Sequence, residues 1–488
     1  MREQASENVV LDRGVFGKVR SGSWDYWLFH QHDDGLRSAG RLSRDLFEVR
    51  GTVSGFAIAL STPKVQNRRM IPDKRYDDSL RRTLTAAGGI EDMIMVGKEA
   101  SQHSGGMSQA LLHFRACSKL MARGVSYRLR RMSGRPALPR SLTVTITRRC
   151  NSRCIMCNIW RLRRNHEELA LDEITRFLSS PSFRDLVELD LTGGEPFLRA
   201  DLPVLVDRIC TLKETDLGSL KTLALATNGL VPQRIHGVVR NILFSINGRF
   251  DLALVCSLDG IGECHDAVRG VPGAYPKVRE TIERLKELTT IGLPFRLGIK
   301  TTILPCNWEQ IPNLMQFADE QGLFHVLSPV LFTAQRFRNL EQQPQLDLLA
   351  NYSSQLIQLY SSDQLADCYY SRVVVDTLKS RGRTVLCSAG LDHFFVEGDG
   401  RIFPCPLVSV PLGDIRTTRP EELLLSGERS SAASMAGSFD ECKWCLEPGC
   451  VRFSQATEGF AFLRFIVGRR GAKRFRREYY DEGLFKYF

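Results

Sequence analysis

Three cysteines within one short segment carry the clearest chemical signal in this sequence. Cys150, Cys154 and Cys157 are spaced C-x3-C-x2-C, directly after an apolar run. Three thiolates can bind three irons of a [4Fe–4S] cube, for which cysteine thiolate is the usual ligand. The fourth iron is then left for a substrate or cofactor to coordinate. The alternative is a zinc knuckle, with nearby His166 considered as its fourth ligand.

A second group of cysteines lies more than 200 residues further along the chain. Its members are Cys387, Cys405, Cys442, Cys445 and Cys450. The segment 394–405 has glycines between two apolar runs, which predicts a β-hairpin that presents Cys405 just past its second strand. The C-x2-C pair at 442 and 445 then closes the site. Four thiolates complete either a [4Fe–4S] or a zinc site.

Polar motifs with glycine recur between these two groups. Gly193-Gly194-Glu195-Pro196 ends one apolar run; its glycines let backbone approach a ligand, and its carboxylate can accept hydrogen bonds from an ammonium group. Asn228 lies in a Thr-Asn-Gly turn after the next run. Each motif, taken alone, is also an ordinary turn.

A further motif begins at Ser257-x-Asp259-Gly260 and continues to Arg269. A guanidinium group binds a planar carboxylate through two hydrogen bonds, so Arg269 is a candidate for carboxylate recognition. Without the other motifs, a surface loop with an exposed arginine would be the better interpretation, with Asp259 as a turn-former beside Gly260.

The elements that must position these residues alternate between apolar β-type runs and amphipathic helical runs. The predicted strands are Leu142–Ile146, Val187–Thr192, Thr222–Thr227, Leu252–Leu258, Phe295–Ile303 and His325–Pro329. Six strand–helix repeats predict right-handed crossovers and a parallel sheet, either open or partly closed as a barrel. In such folds the chemistry lies at the carboxyl ends of the strands, where all four motifs fall.

This combination resembles the radical-SAM superfamily. The resemblance implies an α/β fold, a partial (β/α)6 barrel with a small C-terminal β-hairpin and cluster-binding extension. It implies a [4Fe–4S] cluster on Cys150, Cys154 and Cys157 that binds S-adenosylmethionine and generates a 5′-deoxyadenosyl radical. One departure is Met156, where the family often has an aromatic residue. The cofactor-binding residues implied by the family motifs are Gly193, Gly194, Glu195, Pro196, Asn228, Ser257 and Arg269.

The second cysteine group resembles the SPASM/twitch extension of this superfamily. The shorter, twitch form is indicated, because the later cysteines of a full SPASM domain are lacking. It implies one auxiliary [4Fe–4S] cluster on Cys387, Cys405, Cys442 and Cys445, with Cys450 either a spare or a replacement ligand. The cluster would take an electron from a substrate radical or bind the substrate. In related twitch and SPASM enzymes the substrates include carbohydrates, alcohols and peptide side chains. The expected electron donor is a flavodoxin or ferredoxin.

The chain divides by pattern into six segments. These are a poorly patterned, poorly packed or disordered extension (1–105), a basic lead-in (106–140), the radical-SAM core (141–335), a helical connector (336–380), the auxiliary cluster domain (381–455) and a basic tail (456–488).

The net charge of +11 favours anionic partners. A zinc-stabilised nucleic-acid-binding protein is therefore the alternative function, but it leaves the glycine and arginine motifs unexplained, and we do not expect nucleic acid as a partner. The tail pairs an apolar run with a basic run; we expect a docked helix, with contact to an anionic membrane as the alternative. No transmembrane or signal segment is found, so the cytoplasm is the expected compartment.

Overall fold

The computed structural model describes residues 8–11, 14–21, 24–31, 106–162 and 168–487. Most of the predicted extension, and His166, lie outside these residues. Near the amino terminus the structure has a three-stranded antiparallel sheet, in the order β1–β2–β3. Its strands are β1 (Asn8–Leu11), β2 (Gly14–Ser21) and β3 (Trp24–Gln31). The segment 106–487 belongs to a second compact unit.

The second unit is built on six parallel strands that are neighbours in sequence order. They are β4 (Ser141–Thr147), β5 (Glu188–Gly193), β6 (Thr222–Thr227), β7 (Asp251–Ser257), β8 (Phe295–Ile303) and β9 (Phe324–Pro329). All six predicted strands are confirmed to within about one residue at each end. Because each crossover is right-handed, a sheet in simple sequence order carries its helices on one face.

Helices cover that outer face of the sheet. The helices before and between the strands are α1 (Gly106–Ser133), α2 (Leu171–Leu178), α3 (Leu202–Lys213), α4 (Pro232–Ile246), α5 (Glu263–Arg269), α6 (Ala274–Leu288) and α7 (Ile311–Gln321). Of these, α1 packs apart from the barrel core, in a separate core with C-terminal residues. Leu189, Leu223 and Leu252 are fully buried in one core with Val206 and Ile235 of the helices. Alternate strand residues therefore form the core beneath the helices.

The intervening strand residues point to the opposite, inner face. Ala224, Ala253 and Val255 are small and only partly buried there, unlike their leucine neighbours. Asp190 and Lys300 share this face and are also partly accessible. A lining of small side chains leaves space along the inside of the partial barrel.

The predicted hairpin of the cysteine-rich extension is confirmed, but it also joins the barrel sheet. Strand β10 (His393–Val396) pairs antiparallel with β11 (Arg401–Phe403) and parallel with β4, and β12 (Gly413–Asp414) follows at the edge. The sheet therefore has nine strands, in the order β12-β11-β10-β4-β5-β6-β7-β8-β9. The sequence predicted the hairpin but not its pairing with β4, because strand pairing between distant segments leaves no local pattern.

The remaining helices follow β9. They are α8 (Gln343–Leu346), α9 (Leu348–Asn351), α10 (Ser353–Tyr360), α11 (Tyr369–Lys379), α12 (Pro420–Leu425), α13 (Gly427–Met435), α14 (Pro448–Glu458), α15 (Phe460–Phe465) and α16 (Gly471–Arg476). Where the structure describes the chain, no helix is both long and apolar enough to cross a bilayer.

The basic tail is docked against the rest of the unit. Phe462 and Phe475 are buried in a core with Leu120 of α1. Arg470 and Lys473 each place a nitrogen 2.9 Å from the carboxylate of buried Asp367. The apolar side chains that a membrane anchor would need are therefore packed inside the protein. This agrees with the expected docked helix and not with the membrane alternative.

The last residues cover the amino ends of the barrel strands. Tyr487 donates its hydroxyl to Glu188 Oε2 at 3.0 Å, and Lys486 Nζ lies 2.5 Å from Asp251 Oδ2. Glu188 and Asp251 begin β5 and β7. The tail therefore closes the end of the barrel opposite to the motifs.

Candidate active site

The three cysteines of the first group lie in the loop that follows β4. Cys154 is buried, and Cys150 and Cys157 are partly exposed. Cys154 is near enough to Cys150 and Cys157 to raise the pKa of both thiols. Burial, the largest effect, raises the pKa of the Cys150 thiol to about 11 and that of Cys157 to about 12. Metal binding requires thiolates, so loading this loop must release protons.

The Gly-Gly-Glu-Pro motif holds one side of the cysteine loop. Gly194 N donates to Thr147 O at 2.8 Å, and Glu195 N donates to Arg149 O at 2.7 Å. A Cβ atom on Gly193 would overlap Thr147 O, and one on Gly194 would overlap Arg149 O. Both positions must therefore be glycine, because the backbone there lies directly against the protein's own cysteine loop. The sequence analysis had expected the glycines to allow close approach to a ligand instead.

The segment that ends in Arg269 holds the other side. Arg153 N donates to Arg269 O at 2.9 Å, and Ile155 N donates to Val268 O at 3.0 Å. Gly270 has a φ of +63°, and a Cβ atom there would overlap Arg153 O. The loop is therefore held by the end of β5 just before its first cysteine, and by the end of α5 between its cysteines.

Glu195 connects the ends of β5 and β6. Its buried carboxylate accepts from Phe197 N at 3.1 Å, Thr227 Oγ1 at 3.0 Å and Asn228 N at 2.6 Å. Burial outweighs these hydrogen bonds and raises the pKa of Glu195 to about 7. Pro196 follows as a buried residue of a short 3-10 turn, so these two residues order the loops around the cysteines.

Asn228 is the predicted site residue whose side chain reaches the cysteine loop from β6. Its Nδ2 donates to Asn151 Oδ1 at 2.7 Å and lies 3.8 Å from Cys150 Sγ. Ser257 ends β7 on the inner face and is partly exposed. Both predicted residues therefore lie at the carboxyl ends of strands, and Asn228 reaches the cysteine loop.

Arg269 is buried at the centre of a charged group. Its Nη2 lies 2.5 Å from Asp259 Oδ2, and its Nη1 lies 3.7 Å from Cys154 Sγ. Its Nε has no hydrogen-bond partner among the described residues. One donor of the guanidinium thus remains for a ligand.

Asp259 is a buried partner of Arg269 to which the sequence analysis assigned no role in the site. Its carboxylate is fully buried, and Oδ1 accepts from Thr302 N at 2.7 Å. Burial raises its pKa, and the neighbouring Arg269 opposes that shift. The only sequence signal was its place in Ser-x-Asp-Gly, where an aspartate before glycine reads as a turn residue.

The five cysteines of the second group line one enclosed chamber. It lies between the hairpin and α14, and the remaining lining residues are Arg383, Ala389, Pro404, Leu407, Val408, Ala436, Gly437 and Phe439. Each of these cysteines is at least nine-tenths buried. Cys450, in the first turn of α14, shares the chamber, with Sγ 3.9 Å from His393 Nε2.

The donor set of this chamber fits a metal–sulfur cluster. Cysteine sulfurs are its principal polar groups, and burial raises the pKa of Cys445 to about 12 and that of Cys442 to about 11. In the described ranges, no three His, Cys, Asp or Glu side chains are grouped to hold a metal ion. A cube requires wider spacing than a single zinc ion, because each thiolate binds a different iron.

Comparison with known proteins gives the same family. Residues 144–318 match the Radical SAM superfamily. The chain is 30% identical over 309 residues to an AdoMet-dependent heme synthase of Methanosarcina barkeri, covering 57% of this chain and 80% of that protein. It is 26% identical over 269 residues to a probable GTP 3′,8-cyclase of Sulfurisphaera tokodaii, covering 54% of this chain and 80% of that protein.

A solved structure, Streptococcus suis SuiB bound to S-adenosylmethionine, aligns at 14% identity with a TM-score of 0.43, over 74% of this chain and 84% of SuiB. The family itself rests on the sequence relatives and on the matched domain. The chain belongs to the radical SAM superfamily, whose members bind a [4Fe–4S] cluster and S-adenosylmethionine.

Proposed function

We propose that this protein is a radical enzyme whose cluster is held by Cys150, Cys154 and Cys157. When bound, such a cluster would supply the one-electron reduction, with the electron from a flavodoxin or ferredoxin, that splits S-adenosylmethionine into methionine and a 5′-deoxyadenosyl radical able to take a hydrogen atom from substrate. The protein contributes position and exclusion of water.

A single observation carries this proposal. Three cysteines lie in one loop at the carboxyl edge of a parallel sheet, and backbone hydrogen bonds from the residues after β5 and from the end of α5 fix that loop. Fixing the backbone between the ligands keeps an incomplete set of thiolates in place for a cofactor that completes the coordination.

Arg269 and the Gly-Gly-Glu-Pro loop would bind the methionine part of the cofactor. The free Nε of Arg269 can donate to its carboxylate, while Asp259 keeps the guanidinium charged and oriented. Glu195 already accepts three hydrogen bonds, so its contribution to the ammonium group is negative potential together with the backbone it orders. Asn228 and Ser257 would border the remainder of the cofactor.

The substrate would lie against the inner face of the barrel. Lys300 makes no hydrogen bond or ion pair with any residue that the structure describes, and its charge interacts with Asp190, Arg336, Asp259 and Glu447. Arg336 donates to Thr192 Oγ1 at 3.0 Å and lies 5.3 Å above the Phe395 ring. The inner face therefore presents charges of both signs to a substrate.

The second cysteine group would hold an auxiliary [4Fe–4S] cluster. Cys387, Cys405, Cys442 and Cys445 are its proposed ligands, and Cys450 is placed to replace one of them. Glu447 contributes to the electrostatics of both Lys300 and the cysteine chamber, so the substrate face adjoins this cluster. It would accept the one electron that a substrate radical loses on becoming product, or bind the substrate directly.

Relatives with different names share this core, so family membership leaves the substrate open. One relative is named for heme synthesis and another for cyclisation of GTP. A carbohydrate, an alcohol or a peptide side chain remains within the proposal.

Anaerobic reconstitution tests the proposal. We expect about eight irons and eight sulfides per chain, and formation of 5′-deoxyadenosine from S-adenosylmethionine with dithionite. The matched control is Cys117→Ala, a buried cysteine outside both groups, which should change neither result. Zinc without iron, or absence of 5′-deoxyadenosine in fully loaded protein, would refute it.

A further inference from the structure

Arg383 is the one permanently charged residue among the described residues that line the cysteine chamber. Its guanidinium atoms Nη1 and Nη2 are shielded from solvent and have no hydrogen-bond partner in the described structure. Buried N–H groups of an arginine are rarely left without acceptors, because each unsatisfied group costs free energy. Donors aimed into a chamber of sulfurs indicate that their acceptor is what the chamber holds.

Two contacts fix this side chain. Arg383 N donates to Lys443 O at 2.9 Å, within the C-x2-C turn, and Nε donates to Val385 O at 2.8 Å. The backbone and the near side of the guanidinium are therefore held, while the two outer nitrogens remain for the chamber. The side chain is thus positioned in advance and does not need to reorganise when a cluster binds.

We propose that Arg383 donates hydrogen bonds from Nη1 and Nη2 to sulfur atoms of the auxiliary cluster and so raises its reduction potential. This inference rests on the auxiliary cluster of the proposed function. Reduction adds one negative charge to a cluster that already carries thiolates, and the potential depends on net charge, hydrogen bonds to sulfur and exposure. A buried guanidinium stabilises the reduced state more than the oxidised state.

The chemical consequence concerns the direction of electron flow. A higher potential makes the auxiliary cluster a better acceptor of the electron released by a substrate radical. The first cysteine group has Arg269 nearby, but that guanidinium is already paired with Asp259. Arg383 has no such carboxylate partner among the described residues, so more of its charge acts on the cluster.

The test is a potentiometric titration of the reconstituted full chain, monitored by electron paramagnetic resonance, with Arg383→Gln. A background in which Cys150, Cys154 and Cys157 are alanine isolates the auxiliary signal. We expect its reduction equilibrium constant to fall about tenfold or more, a midpoint lowered by about 59 mV for one electron. The control, Lys443→Gln, removes an exposed charge within the same C-x2-C turn and should leave the midpoint unchanged.

If Arg383→Gln fails to bind iron, Arg383→Lys provides a second test. Lysine keeps the positive charge but lacks the paired Nη1 and Nη2 donors. We expect an intermediate midpoint and altered Fe–S stretching frequencies in resonance Raman spectra. An unchanged midpoint in either fully loaded variant would overturn the role of Arg383 alone. If the reconstituted wild-type chain binds only four irons, it has no auxiliary cluster, and this inference fails together with that part of the proposed function.

Discussion

The two cysteine groups are built in opposite ways. The first occupies one loop between Cys150 and Cys157, held by main-chain hydrogen bonds and surrounded by polar residues such as Asn228 and Arg269. The second collects five cysteines from three distant segments into an apolar chamber. An incomplete ligand set in polar surroundings suits a cluster that binds a cofactor. A full set of cysteine ligands in an enclosed chamber suits an auxiliary cluster that holds no S-adenosylmethionine.

The largest expected effect is the loss of one ligand from the first group. Cys154→Ala leaves two thiolates, which cannot hold a cube with one free iron. Formation of 5′-deoxyadenosine, measured by chromatography after reaction with dithionite, should fall to background. Retention of cleavage at the wild-type rate would show that the cofactor is activated elsewhere.

The same measurement on the second group should give a different result. In Cys442→Ala/Cys445→Ala the first cluster keeps its ligands, so uncoupled 5′-deoxyadenosine should persist while the iron content falls to about half. When the substrate has been identified, the double variant should form no product from it. Full product formation by the double variant would remove the auxiliary role and, with it, the contrast between the two groups.

A matched pair of glycines tests whether backbone contact holds the first group. Gly270 and Gly273 both have positive φ values, +63° and +72°, so alanine costs about 1–2 kcal/mol in backbone strain at either position. Only at Gly270 would the added methyl also overlap the cysteine loop. We expect Gly270→Ala to lose most of the iron of the first cluster, and Gly273→Ala to keep it.

Iron content of the two glycine variants, measured in the Cys442→Ala/Cys445→Ala background, reports the first cluster alone. Equal retention of iron in both would mean that the loop does not depend on this contact.

Arg269→Ala should have the smallest effect of the four. Loss of a charged hydrogen bond weakens cofactor binding by about 1.5–3 kcal/mol, roughly tenfold to a hundredfold in dissociation constant. Equilibrium binding of S-adenosylmethionine to the loaded protein measures it, with the half-buried Arg284→Ala, far from the motif, as control. An unchanged dissociation constant would leave Arg269 as a structural partner of Asp259 only.

Arg269→Ala also leaves Asp259 buried without its ion pair, so a loss of stability is expected alongside. The double variant Arg269→Ala/Asp259→Asn removes the uncompensated charge. If weaker binding came only from that buried charge, the double variant would recover wild-type affinity; we expect it to recover stability alone.

The sequence by itself determined the six strands, the carboxyl-edge location of every motif and both cysteine groups. These features are local: an apolar run followed by a turn is encoded within a few residues, and ligand spacing is read directly. It also predicted the hairpin before Cys405, because its glycines mark the turn.

Tertiary structure alone decided what those residues contact. The motif glycines pack against the cysteine loop, Asp259 is the partner of Arg269, and the hairpin extends the barrel sheet beside β4. Cys450 and Arg383 enter one chamber although 67 residues separate them in the sequence. Such contacts join segments that are far apart in the chain, and no local pattern encodes them, because only packing of the whole unit brings their side chains together.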